Sequence, residues 1–378
     1  MPLPTTIKHV VLWEPCSSPH THYLFDALAQ LYPEIEVITC ADAPLPAERR
    51  SLGWSDPRSP YLTTFVSPDA TIIERIVKND PENTIHILCA LRRVPMILQA
   101  TKHIMACSSH AFLLHEPRVI EGPSGILRLA QSWLNESWYR KNLRGILAIG
   151  RNGPDWFRLT GYRAERIFPF AYFIPEQECT FSTSAVQPLR IGFVGRWIAM
   201  KGVPDLITAI PLIPMTTELH LTGRGADEAA LRAQAAIAGV NATFHGVIAN
   251  SQIGTFLAHL DVLVLPSRSM DDGWGVVVSE ALMQGVPVVA TYQVGASIML
   301  DDPRNGRCIA ARSPTEIAAA IIDLKSTDAW SPAARAARRA RTCLQLTAVA
   351  GAHYLADIID HTINRSPRPS AFYQAKET

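Results

Sequence analysis

The stretch "SMDDGWGVVVSEALMQGVPVVAT", residues 269–291, sets Asp272 and Glu280 eight positions apart around Gly273, Trp274 and Gly275. The order is acid, glycines, then an acid inside an apolar helix that runs into a strand. First-turn amides of a helix lack intrahelical partners and carry the positive end of its dipole, so a helix start preceded by glycine suits a phosphate. Here those amides belong to Gly275, Val276 and Val277. Glu280, about one turn further in, has the chemistry to accept hydrogen bonds from a ribose diol. Asp272 can accept from hydroxyls of whatever extends beyond the phosphates. Read singly, Glu280 is equally a helix-dipole carboxylate. A metal-binding role for Asp271–Asp272 is disfavoured, because arginine and lysine already supply positive charge beside the proposed phosphate amides.

Two more turns carry related chemistry. "RIGFVGRWIAMKGV" gives a strand, then Gly195 and Arg196, then Lys201 before the next helix. A guanidinium grips phosphate oxygens bidentately and an ammonium adds a point charge. "LHLTGRGADEAAL" repeats the arrangement with Gly223, Arg224 and Gly225. Taken alone, each is an ordinary solvated loop, and a lone G-x-G is weak evidence.

Such turns need strands to position them. "HVVLWE", "IEVIT", "IHILCA", "AFLLHE" and "ILAIG" in the first half are continuous apolar runs, as are "RIGFVG", "LHLTG", "ATFHG", "DVLVLPS", "PVVAT" and "RCIA" in the second. Continuous runs mean burial on both faces, as in parallel sheets covered by helices. Their alternation with helical segments predicts α/β architecture with two doubly wound, Rossmann-like domains facing a cleft, ligands lying at the carboxyl ends of the strands. The boundaries read as 1–174, a linker at 175–188, a second domain at 189–350, and a C-terminal helix and tail at 351–378. That helix, around "AHYLADIIDH", is amphipathic and needs a surface, expected on the first domain.

Composition sets limits. At 378 residues the chain suits two domains, and 35 basic against 34 acidic residues argue against nucleic-acid binding through a large positive field. The seven cysteines form no C-x-x-C pair, which excludes a disulfide framework or zinc site and suits a reducing compartment. The N-terminal apolar run is short and ends at Glu14, unlike a signal peptide, and no stretch approaches the length of a membrane span. The expected location is cytoplasmic, peripheral at the inner face of a membrane.

In order, G-R-x4-K-G, then G-x-G, then acid-x7-Glu make the region 188–325 resemble the retaining glycosyltransferases of family 4, with the GT-B fold. That resemblance implies an NDP-sugar donor (UDP- or GDP-sugar), no obligatory metal or other cofactor, and transfer with retention. It places Arg196 and Lys201 on the donor diphosphate, Glu280 on the ribose and Asp272 on the transferred sugar. Aspartate at 272 departs from the family's usual glutamate. The base-reading region falls near "FHGVIANSQI", at Val247 and Ile248. Donor-binding residues are therefore expected at Gly195, Arg196, Lys201, Gly223, Arg224, Val247, Ile248, Asp272, Gly273, Trp274, Gly275, Val276, Val277 and Glu280.

The first half resembles the family less closely. Its loop after the first strand, "WEPCSSPHTHYLFDAL", has no glycine where many members are glycine-rich. Ser17, Ser18, His20 and His22 are candidates for cleft contacts. The alternative is that Ser18 and Thr21 cap the helix while the histidines are solvated. His115–Glu116 follow a strand, and the resemblance puts His115 beside the donor sugar. Asn152 ends the next strand. Residues 127–144 mix Trp133, Trp138 and Tyr139 with Arg128, Arg140, Lys141 and Arg144, which suits a membrane-surface helix or a solvated helix with its aromatics in the core; Arg92 and Arg93 extend the basic face. The expected activity is transfer from an NDP-sugar to a glycan or lipid-linked glycan in surface polysaccharide or glycolipid synthesis. Its rivals are another GT-B activity, namely hydrolysis, epimerisation or transfer to a small soluble acceptor, and a silent nucleotide-binding relative.

Overall fold

The computed structural model describes residues 3–50, 54–107, 109–178 and 188–374. The chain divides into two compact units: Met1–Pro175 with Gln345–Thr378, and Glu176–Leu344. The first therefore takes up the end of the chain, and the second ends earlier than residue 350. Most of the interval read as a linker, 179–187, lies outside the described residues.

The first unit is built on seven parallel strands: β1 (His9–Glu14), β2 (Glu36–Ala41), β3 (Thr63–Val66), β4 (Thr84–Leu88), β5 (His110–His115), β6 (Gly145–Ile149) and β7 (Ile167–Phe170). Their order is β3-β2-β1-β4-β5-β6-β7, so the winding reverses between β1 and β4. Val10 to Trp13, Ile85, Ile87, Leu113 and Leu147 are completely buried. Burial on both faces is what their unbroken apolar runs require. The edge strand β3 is mostly exposed and escapes notice in the sequence. The helix Ala348–Asn364 packs on the helix Pro19–Leu31, and Tyr354 donates to the Pro169 carbonyl at 3.1 Å.

The second unit holds six parallel strands: β8 (Leu189–Val194), β9 (Thr217–Thr222), β10 (Ala242–Gly246), β11 (Val262–Leu265), β12 (Val288–Thr291) and β13 (Gly306–Ile309). Their order is β10-β9-β8-β11-β12-β13, with the reversal between β8 and β11. In an open parallel sheet, loops on either side of such a reversal diverge and leave a crevice for a ligand. The three glycine-containing stretches follow β8, β9 and β11.

Candidate functional site

In the second unit the turns after β8 and β9 interlock through backbone. Gly195 N–H donates to the Thr222 carbonyl at 3.1 Å, Trp197 N–H to the Arg224 carbonyl at 2.9 Å, and Asp227 N–H to the Trp197 carbonyl at 3.1 Å. This contact needs Gly223: its φ is +136°, and a Cβ there would lie 1.9 Å from the Gly195 carbonyl oxygen. Trp197 is fully buried beneath the turns, and its indole N–H has no hydrogen-bond partner among the described residues. Arg196 and Arg224 are exposed beside it.

The loop after β11 is held against the turn after β8. Arg268 N–H donates to the Met200 carbonyl at 2.7 Å, and the Arg268 guanidinium forks onto Asp205 at 2.8 and 2.6 Å. This brings Lys201 and Asp272 into an ion pair, with the Asp272 side chain only 1% exposed and also accepting from the Ser267 hydroxyl. Spacing along the chain assigns the two residues to different ends of a ligand, whereas the fold makes them partners. Burial pushes the Lys201 ammonium down to about 8, the Arg196 guanidinium adding to the effect.

Beyond Asp272 the chain passes through Gly273 and Trp274 to Gly275, which caps the helix Val276–Met283 in the left-handed region at φ +77°. A Cβ on Gly275 would sit 2.8 Å from Val294 Cγ1, so backbone conformation and space both select glycine. The Gly273 and Trp274 carbonyls accept from the amides of Gly295 and Ala296 at 2.8 and 2.7 Å. With those carbonyls tied, the amides of Gly275, Val276 and Val277 have no acceptor among the described residues. The Trp274 side chain is not available to a ligand: it is buried, and its indole N–H donates to Ser279 Oγ at 3.0 Å. A role there belongs to its backbone.

Glu280 is raised to about 7 by burial, and a hydrogen bond with Gln177 works against the rise. Gln177 in turn accepts from the Gln284 amide at 3.2 Å. Gln177 stands in the stretch read as linker, and no local motif marks it. Val247 and Ile248 follow β10 and its left-handed Gly246, Val247 being exposed.

In the first unit, the glycine-free loop after β1 is filled by side chains. Glu14 is buried, accepts from the Thr21 hydroxyl at 2.7 Å and from the Ser18 amide, and is raised by burial to about 7. Ser18 holds the N-cap position without a side-chain cap bond, so capping by its hydroxyl is corrected. Ser17 and His22 are buried. His20 is not solvated either: its ring stacks on Tyr172 at 5.6 Å and meets the edge of Trp54 at 4.9 Å. Burial, then the Arg49 charge, pushes it down to about 4. Glu116 hydrogen-bonds the Tyr172 hydroxyl. Asn152 occupies the N-cap of the helix Gly153–Leu159.

His115 ends β5 and lines a cavity of about 250 Å³ together with Arg92, Arg93 and Arg118. His115 Nδ1 lies in hydrogen-bonding contact with the Glu116 carbonyl. The nearby helix Gly122–Asn135 exposes Ile126, Leu127 and Leu134 by 70–75%, and Trp133 and Trp138 are also exposed, so the aromatics of residues 127–144 are not all core. Tyr139, partly buried, donates to the Leu91 carbonyl at 2.9 Å.

A large part of the second unit has counterparts in known proteins. Residues 188–327 match the family described as "Glycosyl transferases group 1". A GDP-mannose-dependent alpha-(1-6)-phosphatidylinositol monomannoside mannosyltransferase of Mycobacterium tuberculosis is 32% identical over 141 residues. That alignment covers 35% of this chain and 37% of the relative, about a third of each. Two solved structures match over nearly their whole length. HepE of Anabaena, solved with UDP, has a TM-score of 0.69 at 15% identity, covering 93% of this chain and 99% of its own. Sucrose-phosphate synthase of Thermosynechococcus elongatus has a TM-score of 0.68 at 15% identity, covering 95% and 100%. The chain therefore has the two-domain, parallel-sheet α/β fold of the GT-B glycosyltransferase structures. No helix of the described residues is long and apolar enough to cross a membrane.

Proposed function

We propose that the protein is a glycosyltransferase that takes a sugar from a nucleoside-diphosphate sugar with retention of anomeric configuration. The observation that carries this reading is that Lys201, in the turn after β8, pairs with Asp272 in the loop after β11, just before helix-start amides that have no acceptor among the described residues, while Arg196 is exposed on the same turn as Lys201. The match of the same region to group 1 glycosyltransferases supports it.

The chemistry follows from charge. As the bond between the anomeric carbon and the phosphate oxygen breaks, the diphosphate gains negative charge. The amides of Gly275, Val276 and Val277, with Arg196 and Lys201, stabilise that charge without reorganising. The acceptor hydroxyl oxygen forms the new bond on the same face, and its proton passes to the departing phosphate oxygen. No metal is required, because fixed cations and amides carry the electrostatic load. Asp272 holds Lys201 in place before the donor arrives and accepts from the sugar when it is bound. Glu280 accepts from the ribose, and the backbone at Val247 and Ile248 reads the base.

The donor is a UDP- or GDP-sugar. The mycobacterial relative is named for GDP-mannose and the HepE structures hold UDP and UDP-glucose. The acceptor is a glycan or lipid-linked glycan, reached at a membrane surface through the exposed apolar residues of the helix Gly122–Asn135. His115 positions the donor sugar, and Ser17, Ser18, His20, His22, Glu116 and Asn152 are the acceptor-side candidates.

A thermal-shift screen with UDP, GDP and their sugars, in chelator, tests the donor site, since a ligand of the folded state alone raises the melting temperature. One nucleotide series shifting the melt, with the shift lost in Arg196→Ala and Lys201→Ala, is the expected result. Unchanged donor binding and transfer in both variants overturns the phosphate assignment. Incubation with donor alone separates transfer from hydrolysis and epimerisation by product analysis.

A further inference from the structure

We propose that the cavity at the carboxyl ends of β4 and β5 binds a phosphate ester carried by the acceptor. This rests on the transferase reading for the word acceptor, but the anion site stands on its own geometry. The cavity, about 250 Å³, is lined by Arg92, Arg93 and Arg118, with Glu136 as the only acidic residue in its wall among the described residues. Three guanidinium groups against one carboxylate leave a double positive charge, the complement of a phosphate monoester near neutral pH.

The carboxylate is already engaged. Glu136, 3% exposed, accepts from Arg92 at 2.7 Å and from the Tyr162 hydroxyl at 3.1 Å. Arg118 bonds only neutral groups among the described residues, Ser132 Oγ at 3.2 Å and Gln131 Oε1 at 3.5 Å. Arg93 has no side-chain hydrogen bond or ion pair among the described residues, and its backbone sits in the left-handed region at φ +67°, an unfavourable place for an L-residue. Burial, then the like charges of Arg92, Arg128 and Arg93, disfavour the Arg118 cation, with Glu136 opposing. A bound dianion relieves that repulsion, and guanidinium planes match its oxygens bidentately.

The helix Gly122–Asn135 shows what kinds of molecule can bring the phosphate. Gln131 and Ser132 hydrogen-bond the cavity arginines, while Ile126, Leu127 and Leu134 are exposed. One source is the phosphate of a lipid headgroup and the other a soluble sugar phosphate.

Calorimetry separates the cases. The full chain, saturated with whichever of UDP or GDP shifts its melt, is titrated with glucose 1-phosphate and, in parallel, sedimented with phosphatidylcholine vesicles with and without phosphatidic acid. Phosphate binding or phosphatidic-acid-dependent sedimentation is expected, weakened at least tenfold in Arg118→Gln and in Arg93→Gln, and unchanged in Arg163→Gln, a change at an exposed arginine that pairs with Glu165 and does not line the cavity. Binding in the soluble arm alone assigns a soluble phosphorylated acceptor, and binding in the vesicle arm alone assigns a lipid. Binding in neither arm overturns the proposal, as does wild-type affinity in both arginine variants. Arg93 is exposed, so Arg93→Gln keeps the test decisive if Arg118→Gln does not fold. Phosphate binding that survives while no nucleotide shifts the melt sinks the transferase reading and leaves the pocket. A nucleotide shift without phosphate binding does the reverse.

Discussion

The loop after β1 and the turn after β8 leave the same place in two sheets of the same winding, since each strand sits beside the reversal. In the second unit Gly195 and Gly223 bring two backbones into contact, and the Arg196 side chain is left exposed. In the first, "EPCSSPH" has no glycine, and Glu14, Thr21 and Ser18 fill the space with a buried hydrogen-bonded cluster. The loops after β4 and β11 differ in the same way. After β11, glycine exposes amides, and after β4, Arg92 and Arg93 bring cations on side chains. One topology thus places either backbone amides or guanidinium groups beside the reversal, and local glycine content decides which.

The comparison breaks most visibly at Lys201. Lys201→Ala is expected to lower kcat/KM for transfer by about 10²–10³-fold, and to destabilise the unit by about 3 kcal/mol because buried Asp272 loses its cation. Adding Asp272→Asn restores most of the stability and none of the activity, as urea unfolding and kinetics on the double variant will report.

Glu14 tests the side-chain-built loop through pH. Its folded pKa, about 7, lies above the ordinary 4.5, so the native state holds the extra proton between those values. Its contribution is fully present below about 4.5 and is lost as pH rises to about 7, amounting to roughly 3 kcal/mol at most. Urea unfolding at pH 5 and 8 should show this loss in the wild type and a flatter dependence in Glu14→Gln. An equal slope in both proteins removes Glu14 as the cause.

Gly275→Ala sharpens the backbone side of the comparison. A positive φ and the contact with Val294 should cost about 1–2 kcal/mol and weaken nucleotide binding, measured by denaturation and thermal shift. Glu280→Gln should weaken the nucleotide more modestly. In the wild type, affinity should rise as pH passes about 7, where the Glu280 carboxylate proposed to accept from the ribose forms. The smallest stability effect belongs to the exposed helix: Leu134→Ser should change unfolding free energy by less than about 0.5 kcal/mol, yet reduce transfer to a lipid-linked acceptor. Full activity on such an acceptor removes the helix from acceptor binding.

Much of this was legible in the residue order. Short, largely apolar runs marked eleven of the strands, although β10 is half exposed rather than buried on both faces, and "GRWIAMKG", "GRG" and "DDGWG" marked the turns that leave three of them. β3 was not legible, because "TTFV" is a short and largely exposed edge with no buried face to impose a pattern. Trp274 looked like a ligand contact because it sits between two glycines, yet its indole is held inside by Ser279.

Sequence alone determined where the backbone turns tightly into a helix start, because glycine and a helix start act through local conformation and need no distant partner. Tertiary structure decided which side chains meet: Lys201 with Asp272, Gln177 with Glu280, and Arg92, Arg93 and Arg118 around one cavity. Strand order across a sheet brings the first and last of these sets together and chain entry into the second unit brings Gln177 to Glu280, so their attraction and repulsion depend on distances that chain spacing does not encode.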